Sequence, residues 1–133
     1  MSYYLNTFLS DITFQDAEER VIAKLEQEGF GIITAIDVKK TMKMKLDVDF
    51  KNYTILGACN PGYAHQAMTI EDKIGVLLPC NVLVIEQPDG RIEVAAVDPA
   101  SAMAGINNDK LTDLMGEVTT KLKRVLGSLN SDD

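Results

Sequence analysis

Two amphipathic stripes bracket a series of short apolar runs in this chain, and that order restricts the fold more than any other feature. Phe14, Ala17, Val21 and Leu25 recur every three or four positions, the spacing of a helix with one buried face. Leu111, Leu114, Met115, Val118, Leu122, Val125 and Leu126 repeat the pattern farther along. Outside these stripes the period falls to two, or the apolar residues become continuous, as in strands. Tyr3, Leu5, Thr7 and Leu9 share one face of a strand ahead of the first helix. Further strands are expected over 30–37, 53–59, 74–86 (bent at Pro79) and 91–97. The predicted fold class is α+β, in the order β-α-β(4)-α. A mainly antiparallel sheet with both long helices on one face, plus short inserted helices, would bury all these stripes together.

Local signals set the expected boundaries. Thr13 can cap the first helix, with Asp16 three residues on, and Gly29 can end it in the left-handed conformation. Asp37 can cap a short helix in which Val38, Met42 and Leu46 share a face. Asn60-Pro61 reads as a helix cap followed by the first helical position, with the helix continuing to Met68. Gln87-Pro88-Asp89-Gly90 is a hairpin turn. Asn107 or Asn108 caps the last helix, and Gly127 is expected to stop it.

The 133 residues suffice for one domain, with an ordered core expected over about 3–127 and a polar, frayed tail at 130–133. The formal net charge of −7 disfavours nucleic acid and anionic membrane surfaces as partners. The one basic cluster, Lys39, Lys40, Lys43 and Lys45, reads as the solvated face of the short helix. No basic region precedes an apolar stretch at the start, and the most apolar run, 74–85, is broken by Pro79 and Asn81. A cytoplasmic location is therefore expected, where the two cysteines stay reduced.

Most chemistry-bearing motifs are missing. The chain has no Gly-rich phosphate loop, no Gly-x-Ser-x-Gly, no Cys-x-x-Cys, and only one histidine. Two related segments remain, Leu56-Gly57-Ala58-Cys59-Asn60-Pro61 and Leu77-Leu78-Pro79-Cys80-Asn81. Each sets a cysteine beside an asparagine at the end or bend of a strand. Cys59 immediately precedes a helix start, where free N–H groups favour a thiolate. Three readings stay open: two small buried hydrophobes, a redox or nucleophilic thiol, or a soft-metal or persulfide-type site. His65 and Asp98 are accessory candidates, against the simpler roles of helix-surface and turn residues. The methionines read as core filler.

Glu28-Gly29-Phe30-Gly31, Asp37, Tyr53-x-Ile55-Leu56-Gly57-Ala58-Cys59-Asn60-Pro61, Leu78-Pro79-Cys80-Asn81-Val82 and Asp98-Pro99 together resemble domain-of-unknown-function family 302. The resemblance runs from about Tyr3 to Leu126. It implies a TATA-binding-protein-like β-α-β(4)-α fold and a homodimer, and it implies no activity. The family's motif residues map onto Cys59, Asn60, Pro61, Pro79, Cys80 and Asn81.

The functional expectation is a small-ligand, soft-metal or thiol-redox module centred on Cys59 and Cys80. Its candidate binding residues are Cys59, Asn60, Pro61, His65, Pro79, Cys80, Asn81 and Asp98, with Cys59 and Cys80 also the catalytic or metal candidates. The sequence names no cofactor and leaves catalysis open. The alternatives are a non-catalytic dimeric binder of a small apolar ligand held between sheet and helices, and an interaction scaffold.

Overall fold

A computed structural model describes residues 2–130, so all but Asn130 of the polar tail expected over 130–133 lies outside the described residues. The strands are β1 (Tyr4–Leu9), β2 (Gly31–Asp37), β3 (Tyr53–Cys59), β4 (Cys80–Glu86) and β5 (Ile92–Val97). They form one sheet in the order β1-β5-β4-β3-β2, and every neighbouring pair is antiparallel. The helices are α1 (Phe14–Gln27), α2 (Val38–Leu46), α3 (Pro61–Ile70), α4 (Pro99–Ala102) and α5 (Asp109–Ser128). This is the expected α+β arrangement. α1 carries the chain from one sheet edge to the other, and β2 to β5 then follow as antiparallel neighbours.

The caps explain where the helices begin. Thr13 Oγ1 accepts from the Asp16 N–H at 3.1 Å, and Asp37 Oδ1 accepts from Lys40 N–H at 2.9 Å. Asn108, rather than Asn107, caps α5 by accepting from the N–H groups of Lys110 and Leu111. Gly29 ends α1 at a φ of 88°, a value open to glycine at no steric cost.

Register decides which side chains reach the core. Leu9, Leu56, Val82, Val84, Ile92, Val94 and Ala96 point to one face. Ala17, Val21 and Leu25 of α1, Ala67 of α3 and the apolar stripe of α5 pack against them. Both long helices therefore lie on one face. The other face presents Tyr4, Ile36, Tyr53, Ile55, Leu83, Ile85, Ala95 and Val97. Among the described residues, no helix is long and apolar enough to cross a membrane.

Three boundaries depart from the sequence reading. The segment expected to start a strand at Ile74 is a 3-10 turn, Asp72–Leu77, and the strand begins only at Cys80. Pro79 lacks the N–H a ladder needs, so pairing starts after it. Gly127 does not stop α5, which runs on to Ser128. Leu129 is fully buried beyond it, and that packing offsets the weak helix preference of glycine. Likewise α3 extends past Met68 to Ile70, which packs against the core.

Candidate functional site

The pairing of β3 with β4 brings the two cysteines to one end of the sheet on alternate sides, Cys80 with Ala58 and Cys59 with Gly57. Ala58 lies opposite Cys80 and Gly57 opposite Asn81. Cys59 ends β3 and Cys80 starts β4, so both sit at the same end of adjacent strands. Both line one cavity of about 40 Å³ between the sheet, α3 and α5. Phe30, Tyr63 and Ala67 wall it on the helix side, with Met115 and Val118 of α5. Cys80 is buried and Cys59 half-buried.

Asn60 and Pro79 also line this cavity, and each has a defined structural task. A Cβ at Gly57 would collide with Thr34 Oγ1 and lie 2.9 Å from Pro79 Cγ. Glycine at 57 therefore lets the proline ring close over β3. The Leu78–Pro79 peptide bond is cis. Asn60 occupies the cap position of α3, as expected, but its side chain makes no capping bond. Its Nδ2 instead donates to the Glu28 carbonyl at 3.3 Å. That bond ties the end of α1 to the start of α3, because the side chain is turned toward Gly29.

The interior of the cavity is apolar, and its rim is charged. Burial first, and the neighbouring Cys59 charge second, push the Cys80 thiol up to about 11. A thiol so placed stays neutral near neutrality, which is the opposite of an activated nucleophile. At the rim, Tyr63 donates to Glu117 Oε1 at 3.1 Å. Burial, then that carboxylate, raises the Tyr63 phenol above its ordinary value. Glu28 receives Arg124 at 3.0 Å and Lys121 at 3.8 Å. The Arg124 hydrogen bond chiefly holds its carboxyl below the ordinary value. None of the lining residues is an acid, a lysine, an arginine or a histidine.

The remaining sequence candidates lie elsewhere. Pro61 is the first residue of α3 and is exposed, and His65 is exposed on the same helix. Asn81 alternates with Cys80 and is exposed on the opposite face of the sheet. Asp98 caps α4 and accepts from Thr119 Oγ1 at 2.9 Å, the local turn role weighed for it. The structure thus gathers Cys59, Asn60, Pro79 and Cys80, and leaves Pro61, His65, Asn81 and Asp98 outside the cavity. Among the described residues, no group of three or more His, Cys, Asp or Glu side chains converges as a metal cage. Sequence reasoning placed Met115 correctly on the buried stripe of α5 but gave no sign that it borders the cysteines. Only the packing of α5 against the β3–β4 end reveals that.

These segments lie inside a family match. The model for the family described as Domain of unknown function DUF302 matches residues 6–129. The chain belongs to the DUF302 family. An uncharacterized protein of Aquifex aeolicus (strain VF5) is 21% identical over 97 residues, covering 73% of this DUF302 chain. The chain spans 61% of the length of that curated relative. The crystal structure of an uncharacterized conserved DUF302 protein from Bacillus stearothermophilus superposes with a TM-score of 0.90 at 23% identity. That match covers 98% of this chain and 100% of the other. At such identity the likeness shows a shared DUF302 fold, and function has to be argued from the site.

Proposed function

We propose that the Cys59–Cys80 cavity binds one small, soft species, a thiophilic metal ion held by sulfur. The observation that carries this reading is that two cysteines from different strands line a single cavity of about 40 Å³. Space of that order accepts a guest of one or a few atoms, since one water needs about 10–15 Å³ by the same measure. Organic ligands occupy pockets of roughly 300–1,000 Å³. The space between sheet and helices is thus too small for the apolar-ligand alternative. A redox or nucleophilic role is disfavoured because no lining side chain can take a thiol proton. Sulfur ligands favour copper(I) and related soft ions over magnesium, calcium or manganese.

Anaerobic titration of the reduced chain with silver(I), followed by native mass spectrometry, tests this. One bound ion is expected, with Cys59→Ser and Cys80→Ser each abolishing tight binding. Failure of the wild-type chain to retain any ion would remove the proposal.

A second reading concerns assembly, and the bare face of the sheet favours it. Ile85 and Ala95 are 8% and 5% exposed, yet neither belongs to the helix-covered core. Among the described strand residues of this face the one carboxylate, Glu93, has both oxygens held, by Asn6 at 2.9 Å and Gln87 at 2.7 Å. In a chain of net charge −7, two copies can approach through this face with least repulsion. A second copy of the chain is the proposed occupant, since a near-neutral apolar face is complementary to itself. Sedimentation should show a two-chain mass for the wild type and a folded monomer for Leu83→Glu. A monomeric wild type would exclude it, and an organic mass retained in the 390 Å³ groove on this face would replace it.

A further inference from the structure

We infer that α2 and the residues after it, as far as Phe50, form an arm that lies across the bare sheet face of a second copy of the chain. This rests on the proposed pairing through that face and adds the segment that completes it.

The arm is apolar where a solitary chain has no use for it. Every residue from Lys43 to Lys51 is exposed, yet Met44, Leu46, Val48 and Phe50 alternate through that run. Met44, read from sequence as core filler, is 71% exposed, and Leu46 is 66% exposed. Among the described residues, six of the eleven exposed large hydrophobics fall between Ile33 and Phe50, a concentration that single surface residues do not show. α2 adds no side chain to the helix-covered core, and even Val38, its one buried residue, lies outside it. A helix of nine residues gains little stability by itself, so its apolar side chains ordinarily have something to pack against.

The apolar surface of the arm continues the sheet face. The Phe50 ring lies 6.0 Å from that of Tyr53, and Tyr53 and Ile36 both belong to the bare face. Size points the same way. A stable interface engages about 20–30 residues on each side. The strands are six or seven residues long, and alternation sends about three from each to the bare face. The sheet alone falls short of that size, and the arm is the exposed apolar segment joined to it.

Charge selects the occupant. α2 carries Lys39, Lys40, Lys43 and Lys45 and no acid, in a chain of net charge −7. Lys43 is engaged by Asp47 and Asp49. Among the described residues, Lys39, Lys40 and Lys45 have no ion-pair partner. A cationic arm is attracted to another copy of so acidic a chain. An anionic bilayer suits it less, because Asp47 and Asp49 alternate with the apolar residues that would have to enter it. Under two-fold symmetry each copy gives one arm and receives one.

The test uses the full, reduced chain. Sedimentation should show Leu46→Glu weakening the pair by about tenfold or more, the effect of losing one buried leucine. Leu46 is exposed in the single chain, so the substitution leaves the fold intact. Val76→Glu, at a site 83% exposed and outside both the face and the arm, should leave pairing unchanged. In a mixture of methyl-labelled and unlabelled chains, isotope-filtered NOEs should join the Met44 and Val48 methyls of one copy to Ile55 or Leu83 of the other. If the wild type pairs and Leu83→Glu separates it, while Leu46→Glu pairs as tightly as wild type, the arm is refuted and the sheet-face pairing stands. NOEs from Met44 to a helix of the other copy would refute the arm as well. A monomeric wild type removes both readings.

Discussion

The two faces of the sheet are made by the same five strands, yet they differ in what covers them. Val84, Val94 and Leu56 are at most 1% exposed beneath α1 and α5, whereas Ile36 on the other face is 47% exposed. Both faces are apolar, so composition does not distinguish them. What distinguishes them is connection: the helices that precede and follow the strands return to the same side. Consecutive residues therefore meet different fates. Cys80 enters the cavity and Asn81, next in sequence, faces away from it.

The strongest way to break this comparison is to delete equivalent side chains from each face. Leu56→Ala removes a fully packed leucine and should lower unfolding stability by about 3 kcal/mol. Leu83→Ala, on the open face, should cost only about 1 kcal/mol in the dilute monomer, because less area leaves water when it folds. Urea unfolding at low protein concentration measures both. Equal losses would mean that the monomer buries both faces alike.

The second test concerns the covered face alone and uses pH. Burial favours the neutral Cys80 thiol, so its folded pKa lies above the ordinary value of 9.0, at about 11. The sign follows from linkage: the contribution is complete below pH 9 and is lost as pH rises toward 11. That loss amounts to roughly 2–3 kcal/mol at most. Denaturant unfolding at mildly and strongly alkaline pH should show the wild type losing more stability than Cys80→Ala. Parallel curves would show that the thiol is not shielded from solvent, and the cavity would then be open water.

The faces also explain what could be read from sequence. Helical stripes, caps and the hairpin turn depend on neighbours in the chain, so Thr13, Gly29, Asp37 and the α1 and α5 stripes were legible. The strand expected from Ile74 was not, because apolar residues there form a turn that only the proline's missing donor delays from pairing. At the site, the repeated Cys-Asn pattern pointed to the right strand ends. It could not reveal that one asparagine looks inward and the other outward. That depends on the β3–β4 register and on the direction the chain leaves each strand. Met115 was equally hidden, since a stripe shows that a residue is buried but not what it is buried against.

The two asparagines give the finest version of the comparison. Asn60 and Asn81 each follow a cysteine, yet Asn60 bonds the Glu28 carbonyl across to α1 while Asn81 is exposed. Asn60→Ala deletes a part-buried hydrogen bond and leaves the Glu28 carbonyl short of a partner, at a cost of about 1 kcal/mol. Because the bond holds Asn60, which lines the cavity, silver affinity should fall with it. Asn81→Ala removes no bond on the covered face, and its stability should stay within about 0.5 kcal/mol of wild type. Its silver affinity should not change. Thermal unfolding and silver titration of the pair would separate two meanings of the same motif. A loss of silver binding in Asn81→Ala would show that the opposite face communicates with the cysteines, and the division between the faces would then not hold at this end of the sheet.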